Sequence, residues 1–117
     1  MFVHHKILWM QGKDISRVER LKAFIEQNPA DAFSRHALAM EFIKSGNETA
    51  ARSELEILLD RDPGYVGSYY HLGKLFEREG DLQQAADTYK KGILEAERAG
   101  DRHAANELRA ALLNCED

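Results

Sequence analysis

A chain of 117 residues has the length of one domain and can bury a core without metals or disulfides. Its 44% hydrophobic and 31% charged content is too apolar for a disordered chain and too charged for a membrane one. A net charge of -4 without a clustered Lys/Arg face argues against a nucleic-acid partner, and the lone Cys115 argues against a disulfide framework and for a reducing, cytoplasmic setting.

Residues 1–14 read as an N-terminal extension. Their longest apolar run, Ile7-Leu8-Trp9-Met10, is too short for a signal-peptide core or a membrane span. Beyond it the long segments are rich in Ala, Leu, Glu, Lys, Arg and Gln, and only two prolines occur, so the expected class is all-α. The apolar spacing predicts about six helices: 15–27, 32–45, 48–61, 65–79, 82–98 and 102–114.

A self-comparison at an offset of 34 orders these helices. It pairs Leu38 with Leu72, Phe42 with Phe76, Gly46 with Gly80, Asn47 with Asp81 and Ala51 with Ala85, and sets small Ala39 against Gly73. It also pairs Pro29 with Pro63, Leu21 with Leu55, Phe24 with Leu58 and Ile25 with Leu59. Gly46 and Gly80 follow apolar runs and are expected as left-handed C-caps, with Asn47 and Asp81 capping the next helix. Pro29 and Pro63 follow Asn28 and Asp62, residues that a proline pushes out of helical geometry, so each closes a helix. The layout is a half repeat (15–31), two full repeats (32–65 and 66–99) and a capping helix (101–115) whose Ala105, Leu108 and Leu112 shield the last repeat.

Tyr69, Leu72, Gly73 and Phe76, then Gly80-Asp81, Ala85 and Tyr89, resemble the tetratricopeptide repeat in order and period. Leu38, Ala39, Phe42, Gly46-Asn47, Ala51, Leu55 and Pro63 agree in the preceding repeat. Arg35 stands where the family has an aromatic, which weakens the expected packing there, and Glu97 stands where it has a proline. The resemblance implies an α-solenoid of antiparallel helix pairs, a right-handed superhelix whose first helices line a concave groove for peptides or partner helices. Carried over residue by residue, the groove-facing positions are Phe33, His36, Met40 and Ile43, then Tyr70, Lys74 and Glu77. A family subset grips a C-terminal carboxylate with Lys and Asn. His36, Met40 and His71 occupy those places here, so that ligand is not supported.

The function expected is a non-catalytic protein-interaction module with no cofactor, no metal and no membrane or nucleic-acid partner. The alternative is a self-associating structural unit, a homodimer for instance. Met40 and Tyr70 fit either ligand anchors or side chains tucked against neighbours, and Lys74 and Glu77, three apart, fit a simple ion pair. His103 and Glu107, four apart, could offer two metal ligands, but a stable site needs three or four, so surface decoration is the preferred reading. His4-His5 lacks further ligands nearby and is read as incidental. Ser34 and His36 are two apart on a helix and point to different faces, which argues against nucleophilic catalysis. The apolar cluster Phe2, Val3, Ile7, Leu8, Trp9 and Met10 leaves three readings: it folds back over the groove, it mediates a homodimer, or Met10 is the natural start.

Overall fold

The computed structural model describes residues 16–116, so the N-terminal cluster and His4-His5 lie outside the described residues. Six helices follow one another: α1 (Arg17–Gln27), α2 (Ala32–Lys44), α3 (Glu48–Arg61), α4 (Gly67–Arg78), α5 (Leu82–Ala99) and α6 (Arg102–Cys115). No strand occurs among the described residues. The chain divides into two compact units, Met1–Glu54 and Leu55–Asp117, and the division falls within α3.

The helix corners are local chemistry. Gly46 and Gly80 both hold φ at 84° and Gly100 holds 71°, the left-handed region in which a Cβ would be strained. After each glycine a side-chain oxygen takes a free N–H of the next helix: Asn47 accepts from Ala50 at 3.3 Å, Asp81 from Gln84 at 3.1 Å and Asp101 from Ala104 at 3.0 Å. The expected caps are thus in place, and Gly100 repeats the device where the family proline is missing. α4 starts at Gly67, two residues later than the spacing predicts. The Tyr65 N–H is taken by the Asp62 carbonyl at 3.1 Å in the turn around Pro63-Gly64, and Val66 caps the helix without a side-chain bond.

In unit one, α1 packs on α2. The Lys22 ammonium lies 5.6 Å from the centre of the Phe42 ring, and Arg17 reaches Glu41 at 3.1 Å. Arg35 reaches from α2 to Glu54 of α3 at 2.8 Å and to the Pro29 carbonyl at 3.2 Å.

In unit two, α4 packs on α5, and α6 packs on both. The α4–α5 contact is a reciprocal exchange of large for small. A Cβ at Gly73 would stand 2.1 Å from the Tyr89 ring, and a Cβ at Gly92 would stand 2.6 Å from Tyr69 and 3.0 Å from Leu108. Each tyrosine fills the gap left by the other helix's glycine, so both backbones approach closely. Tyr69, Tyr89, Leu75 and Leu108 are among the most fully buried side chains. On α6 the covered stripe is Ala105, Leu108 and Ala111, with Leu112 only half-buried.

Candidate functional site

α2 carries four of the expected contact residues. Phe33, at its second position, is 69% exposed, while His36, Met40 and Ile43 are half-buried. Their spacing of three, four and three sets all four on one side of the helix. The other side holds Leu38, Ala39 and Phe42 in the core. Ser34, also buried, donates its hydroxyl to Asp31, whose carboxylate caps α2 through the Ser34 N–H at 3.2 Å. That serine completes a helix cap and is turned away from His36's side.

α4 carries the other three, and they touch one another. The Lys74 ammonium lies 5.4 Å from the centre of the Tyr70 ring and 3.5 Å from Glu77, so the expected ion pair forms and a cation–π contact joins it. Tyr70 meets the His71 ring edge-on at 5.7 Å. Glu77 also accepts the hydroxyl of Tyr89 from α5. Burial first, and then this bond to Glu77, push the Tyr89 phenol well above its ordinary value. Cys115, at the end of α6, is raised too, by burial and the neighbouring Glu77 carboxylate. Glu77 is therefore a junction of three helices and not solely a surface contact.

Two members of this cluster are absent from the sequence expectation. Tyr89 reads as a core filler by periodicity, yet a buried tyrosine needs an acceptor for its hydroxyl, and that need is the signal pointing back to Glu77. Cys115 has no comparable sequence signal, because its place depends on how α6 lies against α4. His71 is held below its ordinary value by burial and by Arg78, against a smaller opposite effect of Glu107.

Two recesses recur one period apart. One is lined by Lys22, Ile25, Glu26, Arg35, Leu38 and Glu54, the other by Glu56, Leu59, Asp60, Tyr69, Leu72 and Thr88 among others. Neither is lined by any of the seven expected contact residues. His103 and Glu107 stand 3.6 Å apart with 85% and 56% of their side chains exposed. Among the described residues no group of three or more His, Cys, Asp or Glu could hold a metal ion. No helix among them is long and apolar enough to cross a membrane.

No family model matches the chain. A TPR repeat-containing protein of Pseudomonas aeruginosa is 26% identical over 91 residues, which span 78% of this chain and 87% of that protein. A protein of Bordetella parapertussis has a solution structure that superposes with a TM-score of 0.74 at 27% identity, covering 87% of this chain and 89% of that one. The solution structure of a tetratricopeptide repeat domain protein from Salinibacter ruber superposes with a TM-score of 0.72 at 45% identity, covering 75% of this chain and 89% of that one. With that identity, that coverage and a 34-residue period of glycine corners and interlocked small and large residues, the chain belongs to the tetratricopeptide-repeat family.

Proposed function

We propose that the chain is a non-catalytic protein-interaction module that binds a peptide or partner protein through the first helices of its two repeats. On α2 the contact residues are Phe33, His36, Met40 and Ile43, and on α4 they are Tyr70, Lys74 and Glu77. The reading rests chiefly on Phe33. A phenylalanine 69% exposed heads a stripe with His36, Met40 and Ile43 beneath it, which supplies an apolar anchor beside an adaptable thioether. On α4 the Lys74 ammonium and the His71 ring steady the Tyr70 ring, and a pre-ordered aromatic loses little entropy on binding. Family membership supports the same helices.

The test is a peptide selected from a random display library on the full chain, titrated into isotope-labelled protein. Amide shifts should gather at the seven named residues. Phe33→Ala and Tyr70→Ala should each weaken binding about tenfold, equivalent to about 1.4 kcal/mol, with helicity unchanged. Shifts confined to α3 and α5, or variants that bind as tightly as the parent, would overturn the reading. Self-association is the second reading, favoured by Leu94 and Leu113, which are 57% and 67% exposed. It requires a mass in solution that rises with concentration and is lost in Leu94→Lys or Leu113→Lys.

A further inference from the structure

α1 holds the place in the repeat that α3 and α5 hold one and two periods later. Arg17, Leu21, Phe24 and Ile25 precede Ala51, Leu55, Leu58 and Leu59 by 34 residues. In α3 all four positions are buried, at 0%, 0%, 2% and 6% exposure. In α1 only Ile25 matches, at 8%; Leu21 is half-buried and Phe24 is 48% exposed. Unit two shows what covers these positions. Tyr89, two periods after Leu21, fills the space at Gly73 of α4, and Gly92, two periods after Phe24, lies against Tyr69 of α4. Leu21 and Phe24 therefore lie on the face of α1 that corresponds to the one α4 covers on α5.

The chain ahead of Ser16 continues the register. Leu8 precedes Phe42 and Phe76, both buried, by one and two periods, and Gly12 likewise precedes Gly46 and Gly80, the left-handed corners. Residues 1–10 fall on 35–44, most of α2. Side-chain volume is also shared in a compatible way. The pair Gly73 and Tyr89 corresponds to His5 and Leu21, and the pair Tyr69 and Gly92 to Met1 and Phe24, so a larger residue on one side meets a smaller one on the other at the first pair.

We infer that residues 2–11 of this chain are the occupant of the Leu21/Phe24 face of α1. This occupancy is separate from the partner contacts proposed for α2 and α4, and neither depends on the other.

Trp9, the chain's one tryptophan, reports on it directly in the full-length protein. Phe24→Asp should shift Trp9 emission to the red and raise its quenching by acrylamide several-fold, at a protein concentration where light scattering gives a single chain. Tyr70→Ala should leave Trp9 as it is. In Leu8→Asp, changed only in the docking segment, amide exchange at Leu21–Ile25 should quicken several-fold while Tyr69 and Tyr89 keep their protection, a readout that stands even if Phe24→Asp loses its fold. Equal quenching in the parent and a folded Phe24→Asp would overturn the inference, as would unchanged exchange at Leu21–Ile25 in Leu8→Asp. Trp9 protection that grows with protein concentration, which makes a second copy the occupant, or Trp9 exposure in Tyr70→Ala, which moves the segment to α4, would overturn it too.

Discussion

The two repeats close their inter-repeat turns with different chemistry at the same position. In unit two the Tyr69 hydroxyl donates to the Pro63 carbonyl at 2.6 Å from a side chain that is 2% exposed. One period earlier, in unit one, Arg35 donates to the Pro29 carbonyl at 3.2 Å and holds Glu54 at 2.8 Å. The position thus asks for a long side chain with a donor at its tip, and an aromatic ring is one of two ways to supply it. An arginine keeps the bond and replaces ring packing with an ion pair. The expectation that Arg35 weakens the packing is therefore half the account, since the turn it reaches is still tied.

The largest effect in breaking this comparison should come from the close approach that unit two has built around its tyrosines. Gly73→Ala forces a Cβ into the Tyr89 ring and should lower stability by about 3 kcal/mol in urea unfolding, at the upper end of what overpacking costs. The equivalent Ala39→Gly in unit one should cost about 1 kcal/mol, a helix-propensity effect without a clash. Similar losses for the two variants would mean that the repeats are packed alike.

Removing the closing donors comes next. Tyr69→Phe leaves the Pro63 carbonyl without its bond and should cost about 1.5 kcal/mol, whatever the salt concentration. Arg35→Met should cost about 1 kcal/mol, and that loss should shrink as salt rises, because the Arg35–Glu54 pair keeps some contact with water. Unfolding curves at low and high salt separate the two chemistries.

Alkali should divide them as well. Burial, then Glu95 and Asp62, push the Tyr69 phenol from its ordinary 10.0 up to about 12. The folded state therefore holds the phenol proton more tightly than the unfolded chain does. The contribution is complete below pH 10 and is lost as pH climbs through 12. Tyr69→Phe should flatten the fall of the urea midpoint over that range, leaving the part due to Tyr89. Arg35→Met removes no phenol and should leave that fall as steep as in the parent.

The smallest difference is expected at the caps, which the two repeats share. Asn47→Ala and Asp81→Ala should each cost about 1 kcal/mol. Equal losses would show that the corners are interchangeable, and a clear inequality would mean that one corner carries tertiary strain.

Those corners were also the most legible part of the fold. Gly46-Asn47 and Gly80-Asp81 announce themselves because their conformational demand is met within a few residues of sequence. Gly92 was not legible, since the offset pairs it with Leu58 and its smallness answers to Tyr69 and Leu108, on two other helices. α4 starts at Gly67 because the chain from Asp62 to Tyr65 closes a turn around Pro63-Gly64 and Val66 takes the N-cap, a local geometry that apolar spacing does not record. At the candidate site, the family resemblance names Tyr70, Lys74 and Glu77 on α4 but not Tyr89 and Cys115, which reach Glu77 from other helices. Legibility falls off with the sequence distance between a residue and whatever constrains it.

The paired exchange of Tyr69 with Gly92 and Tyr89 with Gly73 carries a consequence for how the sequence can drift. Neither member of a pair can change size alone, so tolerated variants should arise as compensated doubles: a bulkier residue at 73 accompanied by a trimmed one at 89. A library randomised at these four positions and screened for folded protein should return sequences whose summed volume per pair stays nearly constant while the individual residues vary. The helix pair would then inherit its shape as a sum rather than as a set of letters.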